Sequence, residues 1–302
     1  YTFDVGSETP AVPVLTIPNP TPALNDNFGS SLSLAGNMLA VGAHLDDQGG
    51  TDTGRAYIFN LTSGSPAVPV NTIDNPSPQN NDFFARSVAI SGGRFATGAH
   101  GDNTGASDAG CAYLYEIATG MPSAPVVINT PSPSSDEEFG TAVAISGTMV
   151  VVGAHHDDKG ASNAGGVYVY DFTAGTPQQP VLVIDNPTPV LNDYFGAAVA
   201  AAGNVIVVGA YQDDGGAQNA GTVYIYNRTS GTPASPVHVI PNPSAQAQDQ
   251  FGNAVAISGS LLAVGAFKND AGAIDAGSVY IYDLSSQTPA VPILTLDNPE
   301  PA

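Results

Sequence analysis

The sequence predicts an all-β fold: a β-propeller of four-stranded antiparallel blades, with five complete repeats and an N-terminal half repeat. Three observations predict it. Phe28, Phe84, Phe139, Phe195 and Phe251 recur at spacings of 55 or 56 residues. A Gly-Ala pair recurs in step, at Gly42-Ala43, Gly98-Ala99, Gly153-Ala154, Gly209-Ala210 and Gly265-Ala266. The apolar runs between these marks are too short for ordinary helices and read as strands bounded by Gly, Pro, Asn and Asp. A fixed period of this length with four strands in it is the signature of a propeller blade. A β-solenoid coil is shorter, and a string of separate 56-residue domains of this composition would bury too little surface in each.

The third unit shows the four strands. Strand A is AVAIS (Ala142 to Ser146) and strand B is MVVVGA (Met149 to Ala154). A tight turn at Ser146-Gly147 joins them as a hairpin. Strand B is apolar on both faces, as an interior strand should be. Strand C is GVYVYD (Gly166 to Asp171), and its Tyr168 and Tyr170 share one face because side chains alternate along a strand. Strand D is PVLVID (Pro180 to Asp185). Its proline marks an edge strand, where a missing N–H is tolerated. The blades are read as 25–79, 80–135, 136–190, 191–246 and 247–302. Residues 1–24 form a half blade: the first 23 residues align without gaps to the C-terminal YIYDLSSQTPAVPILTLDNPEPA, with 14 identities.

Composition narrows the function. The chain of 302 residues carries 6 Lys+Arg against 27 Asp+Glu, a formal charge of −21. Such a surface repels phosphate backbones and anionic lipid, which argues against nucleic-acid and membrane-surface partners. No apolar run is long enough to span a bilayer as a helix. The single Cys111 excludes an internal disulfide or a cysteine-rich metal site, and it reads as an ordinary strand position. The chain opens at Tyr1 in mid-repeat with no signal peptide, which reads as a mature product or a fragment.

The acids are unevenly placed. In an up-and-down blade the D–A and B–C loops lie at one end, and 21 of the 27 acids fall in these loops or at the end of strand D. One acid stands two residues before each repeat Phe: Asp26, Asp82, Glu137, Asp193 and Asp249. The B–C loops hold Asp46, Asp47, Asp52, Asp102, Asp108, Asp157, Asp158, Asp213, Asp214, Asp270 and Asp275. Carboxylates clustered in Gly-rich loops suit a hard cation such as Ca²⁺, which takes several oxygen ligands, and these eleven are the candidate metal ligands. Turn chemistry is the equal alternative, because Asp and Asn also accept hydrogen bonds from nearby backbone N–H groups.

Other chemistry is sparse. His44, His100 and His155 share a repeat position with Tyr211 and Phe267, which reads as a packing slot, while His156 and His238 stand alone. No zinc-protease, nucleophile-elbow or phosphate-loop motif occurs. No catalytic residue is assigned, and no loop departs enough from the repeat to suggest an enzyme. Trp is absent, so sugar stacking is not indicated. Asn60-Leu-Thr and Asn227-Arg-Thr are glycosylation sequons at one repeat position, also explained as polar strand exits.

The pattern Phe-Gly, Val-Gly-Ala, Gly-x-Val-Tyr-x-Tyr resembles the FG-GAP repeats of integrin α-subunit propellers, in a bacterial-type variant with a short A–B turn. The resemblance spans nearly the whole chain and departs at Phe84-Ala85. It implies a non-catalytic adhesion or scaffold propeller, extracellular or at the cell surface, with a protein or glycan ligand on the acidic face. The acid-rich A–B loop that holds Ca²⁺ in integrin-type repeats is replaced here by a two-residue turn, so that site does not carry over. The alternatives are a structural subunit that self-associates into a filament through the unpaired half blade, and an enzyme with an unrecognised site.

Overall fold

The computed structural model describes residues 1–3, 12–117 and 122–300, and no helix occurs among them. Two short strands, β1 (Thr2–Phe3) and β2 (Pro13–Leu15), pair antiparallel as the half unit. Residues 4–11 of that half unit lie outside the described residues. Blade one is β3 (Ser31–Ala35), β4 (Met38–Ala43), β5 (Arg55–Asn60) and β6 (Asn71–Asp74). Blade two is β7 (Ser87–Ser91), β8 (Arg94–Ala99), β9 (Cys111–Glu116) and β10 (Val126–Asn129). Blade three is β11 (Ala142–Ser146), β12 (Met149–Ala154), β13 (Gly166–Asp171) and β14 (Leu182–Asp185). Blade four is β15 (Phe195–Ala202), β16 (Val205–Ala210), β17 (Thr222–Asn227) and β18 (His238–Pro241). Blade five is β19 (Phe251–Ser258), β20 (Leu261–Ala266), β21 (Ser278–Asp283) and β22 (Leu294–Asp297).

Each blade is an antiparallel meander with its strands paired in chain order, so strands A to D follow one another across the sheet. The A strands lie innermost: β3 packs on β7, β7 on β11, β11 on β15 and β15 on β19. Strands B and C of blade three are buried almost end to end, and strand D alternates with its outer face in solvent. This explains the sequence pattern. An interior strand between two blades needs apolar residues on both faces, and an edge strand needs them on one.

The A–B turns meet the expected hairpin chemistry. Gly147 takes a φ of 62° at the first central position, the sign a type II′ turn requires. In blade two both central residues, Gly92 and Gly93, have positive φ, as type I′ requires. Strand D begins at Leu182 and not at Pro180, because the ladder to strand C starts with Leu182 opposite Val169. Strand A of blades four and five begins at the repeat Phe itself, with a register shift just after it.

The apolar cores sit between blades, not inside them. Ile184 and Val167 of blade three cluster with Phe195, Ile206 and Tyr226 of blade four. The repeat Phe joins the two sides. In blades three to five its side chain meets both strand-C tyrosines of its own blade, with Phe195 edge-on to Tyr224 at 5.5 Å and to Tyr226 at 6.3 Å. Its backbone bridges the preceding blade at Gly165. One unit alone therefore cannot bury its own face.

Replacing fully buried Phe195 with Ala is expected to cost about 3–5 kcal/mol in denaturant unfolding. Phe28, which is only half-buried, makes the same edge contacts at Tyr57 and Phe59, and its replacement is expected to cost less. Equal losses would contradict an inter-blade role for this ring.

Candidate functional site

One backbone motif gathers the D–A and B–C loops at the same end. Asn81, Phe83 and Phe84 of blade two donate their N–H groups to the carbonyls of Thr51, Asp52 and Thr53 of blade one. The same three-rung ladder links Asp136, Glu138 and Phe139 to Ser107, Asp108 and Ala109. It links Asn192, Tyr194 and Phe195 to Ser162, Asn163 and Ala164, and Gln248, Gln250 and Phe251 to Gln218, Asn219 and Ala220. Each D–A loop is thus tied to the B–C loop of the blade before it.

The B–C acids divide into three roles. The first aspartates, Asp46, Asp102, Asp157 and Asp213, are buried. Their Oδ1 atoms accept the N–H two residues on, from Gln48, Thr104, Lys159 and Gly215, at 2.8 to 3.0 Å. Their Oδ2 atoms accept a strand-C tyrosine hydroxyl, at 2.7 Å from Tyr168 and Tyr224 and at 3.3 and 3.4 Å from Tyr57 and Tyr113. The second aspartates, Asp47, Asp158, Asp214 and Asp270, are exposed, and each accepts the N–H five residues on through Oδ1. The third group, Asp52, Asp108 and Asp275 with Asn163 and Asn219, adopts left-handed φ values of 49° to 53°. Asp and Asn tolerate that region better than other side chains. The turn presents the carbonyls of Asp52, Asp108, Asn163 and Asn219 to the next blade.

The acid two residues before each Phe closes its own D–A loop. Asp193 Oδ2 accepts the Val190 N–H and Asn186 Nδ2–H, each at 2.8 Å. Asp26, Asp82 and Asp249 repeat this arrangement with Asn19, Asn75 and Asn242. Burial raises Asp82 and Asp193 to about 6, against the opposing pull of these hydrogen bonds. Glu137, the counterpart in blade three, is also raised by burial.

The donor geometry favours turn chemistry for the inner aspartates, whose two oxygens are already engaged by the chain. No three of the eleven B–C aspartates bring ligand oxygens together among the described residues. A different set converges instead. Glu138, His155 and His156 place ligand atoms within 4.8 Å of one another. They belong to a layer of rings and imidazoles between the loops. In blades two to four the residue just before Phe faces the residue just after Gly-Ala: Phe83 stacks on His100 at 5.1 Å and Tyr194 on Tyr211 at 5.4 Å. In blade three the pair is Glu138 and His155. Burial lowers His44 and His100 to about 4 and His155 to about 3, so these rings are neutral near pH 7. The packing expected of this histidine slot is therefore present, but Glu138 gives blade three a polar centre that the slot alone does not reveal. The signal was available only by reading the residue before Phe against the residue after Gly-Ala.

The FG-GAP repeat family model matches residues 22–59, 77–115, 131–170, 190–226 and 242–282. No curated protein matches the chain. No helix among the described residues is long and apolar enough to cross a membrane.

The raised Asp193 yields a pH test. Its ionised form carries a penalty that is complete above its folded pKa of about 6. The penalty is absent below the ordinary carboxylate range near ~4. Wild-type stability from this group therefore falls as pH rises through that window. Asp193→Asn keeps an acceptor for the Val190 N–H and removes the charge. Its melting temperature relative to wild type is expected to rise between about pH 4 and pH 6 and then level off. A difference independent of pH would contradict the burial of this carboxylate.

Proposed function

Since the chain belongs to the FG-GAP repeat family, we propose that it is a non-catalytic adhesion or scaffold propeller, working outside the cell or at its surface. Its ligand surface is the end where the D–A and B–C loops meet. The observation that carries this reading is the inter-blade ladder, which holds both loop sets and their carboxylates on one rigid rim. Binding residues presented by loops on a stiff scaffold suit recognition, because little ordering entropy is lost on contact. The rim is strongly acidic, so the fitting partner is a protein or glycan surface that offers cationic or hydrogen-bond-donating groups. Ca²⁺ belongs to this reading at the outer oxygens of the exposed second aspartates and at the carboxylates of Asp52, Asp108 and Asp275, since the inner ones are taken by tyrosines and turns.

A second reading, a structural subunit that self-associates, is favoured by one feature. Leu261, Val279 and Leu296 of blade five are exposed, where their counterparts Met149, Val167 and Ile184 are buried against the next blade.

The test uses a variant with Asp47, Asp158, Asp214 and Asp270 all changed to Asn. Asn103 already fills this position in blade two and accepts the same N–H from Asp108, so the loops should keep their shape. Beads coated with wild-type protein are expected to adhere to cells or matrix in a salt-dependent manner. The variant is expected to adhere more weakly and with a flatter salt dependence. Unchanged adhesion would overturn the rim as the binding surface, and adhesion indifferent to a Ca²⁺ chelator would remove Ca²⁺ from the reading.

A further inference from the structure

Blade three breaks the repeat at one point. The residue before each Phe is Asn27, Phe83, Glu138, Tyr194 or Gln250, and the two residues after Gly-Ala are His-Leu, His-Gly, His-His, Tyr-Gln or Phe-Lys. Only the third unit sets a carboxylate against two imidazoles. His155 Nε2 lies 3.6 Å from Glu138 Oε2, and His156 Nδ1 lies 3.5 Å from Glu138 Oε1. The two imidazole centroids are 4.0 Å apart. The nitrogen–oxygen separations are too long for charge-assisted hydrogen bonds, which close to about 2.7–2.9 Å. They run to different oxygens of the one carboxylate, and one ligand atom from each residue lies within 4.8 Å of the other two. Rotation of the side chains closes that span onto an ion with ligand bonds near ~2.1 Å. The three groups therefore converge without bonding one another.

We propose that Glu138, His155 and His156 bind a first-row transition ion of the Zn²⁺ class. Imidazole nitrogens with one carboxylate suit such an ion, whereas Ca²⁺ and Mg²⁺ prefer oxygen cages. The backbone supports the site. Glu138 is pinned at a φ of 53° by its N–H bond to the Asp108 carbonyl, and His155 and His156 follow directly on the end of β12. The Tyr194 ring packs 5.5 Å from the His155 ring and 5.2 Å from that of His156, which fixes both imidazoles from the blade-four side. Three protein ligands leave a fourth tetrahedral position for water or an external donor. The ion thus sits between blades three and four, under the Tyr194 ring.

The metal-free protein is titrated with Co²⁺ and followed by its visible d–d absorption, then with Zn²⁺ by calorimetry. Wild type is expected to take up a single ion, with the intense bands of a tetrahedral site, and Zn²⁺ is expected to displace Co²⁺. The variants Glu138→Tyr, His155→Phe and His156→Gln install residues that other units carry at these positions, namely Tyr194, Phe267 and Gln212. Each should fold, as checked by its far-UV spectrum and melting temperature. Each is expected to weaken Co²⁺ binding at least roughly tenfold, since loss of a mere supporting contact at a metal site already costs that much. Asp283→Asn, at a turn after strand C where other units carry Asn60 and Asn227, is expected to leave binding unchanged. Absence of the d–d bands in wild type, full binding in the folded Glu138→Tyr or His156→Gln variants, or a comparable loss in Asp283→Asn would each overturn the site.

Discussion

The structure depends on close contact between two backbones. At the strand-B glycine of Gly-Ala, a Cβ would run into the carbonyl of the Phe-Gly segment in the following blade: Gly98 meets Gly140, Gly153 meets Gly196 and Gly209 meets Gly252. Gly42 meets the carbonyl of Ala85 in the same way. A second set, Gly54, Gly110, Gly165 and Gly221, receives the backbone of the next Phe. Two sheets can approach this closely only where side chains are missing. The approach lets each Phe slot between blades and lets the three-rung loop ladder form. It also explains why the Gly-Ala and Phe-Gly marks keep step along the chain. They are two halves of one contact, 42 or 43 residues apart along the chain.

The acidity of one end follows from that contact as much as from any ligand. The ladder needs carbonyls turned outward from the B–C loop, and the loop provides them through a left-handed residue at Asp52, Asp108, Asn163 and Asn219. Asp and Asn are the side chains that tolerate this backbone and also close the preceding turn. The tyrosines of strand C then hold the first aspartates from below. A single acid-rich loop thus closes its own turn, anchors the sheet beneath it and grips the next blade, and leaves the outer carboxylate of each Asp-Asp pair facing solvent. Ala85 shows how firmly the geometry is imposed: it stands where other units have Gly, yet it keeps a φ of 67° and donates its N–H to the Gly98 carbonyl.

The strands, their order and the parity of the loops were legible in the sequence, because period, alternation and proline placement each follow from burial. Strand D was read two residues too early, since the apolar run starting at Pro180 begins before the ladder does. The roles of the aspartates were not separable by sequence. Asp46 and Asp47 look alike in a string of letters, but one is buried under Tyr57 and the other is exposed. The cluster of Glu138 with His155 and His156 stayed hidden for a different reason. Its members are 17 and 18 residues apart, on two loops whose mutual register is set by hydrogen bonds to neighbouring blades. Histidines that alternate with Tyr and Phe along the repeat look like packing residues, and in blades one and two that is how His44 and His100 are used, against Phe83.

The most direct measurement compares Gly153→Ala with Gly265→Ala by denaturant unfolding. Neither glycine has a positive φ, so the added methyl group acts through space alone. At Gly153 it meets the Gly196 carbonyl of the next blade, and at Gly265 it finds only Ala254 of its own blade, at 3.6 Å. The account predicts a loss of several kcal/mol, about 3 or more, at Gly153 and a change within about 1 kcal/mol at Gly265. Similar effects at the two sites would contradict the claim that backbone contact between blades organises this protein.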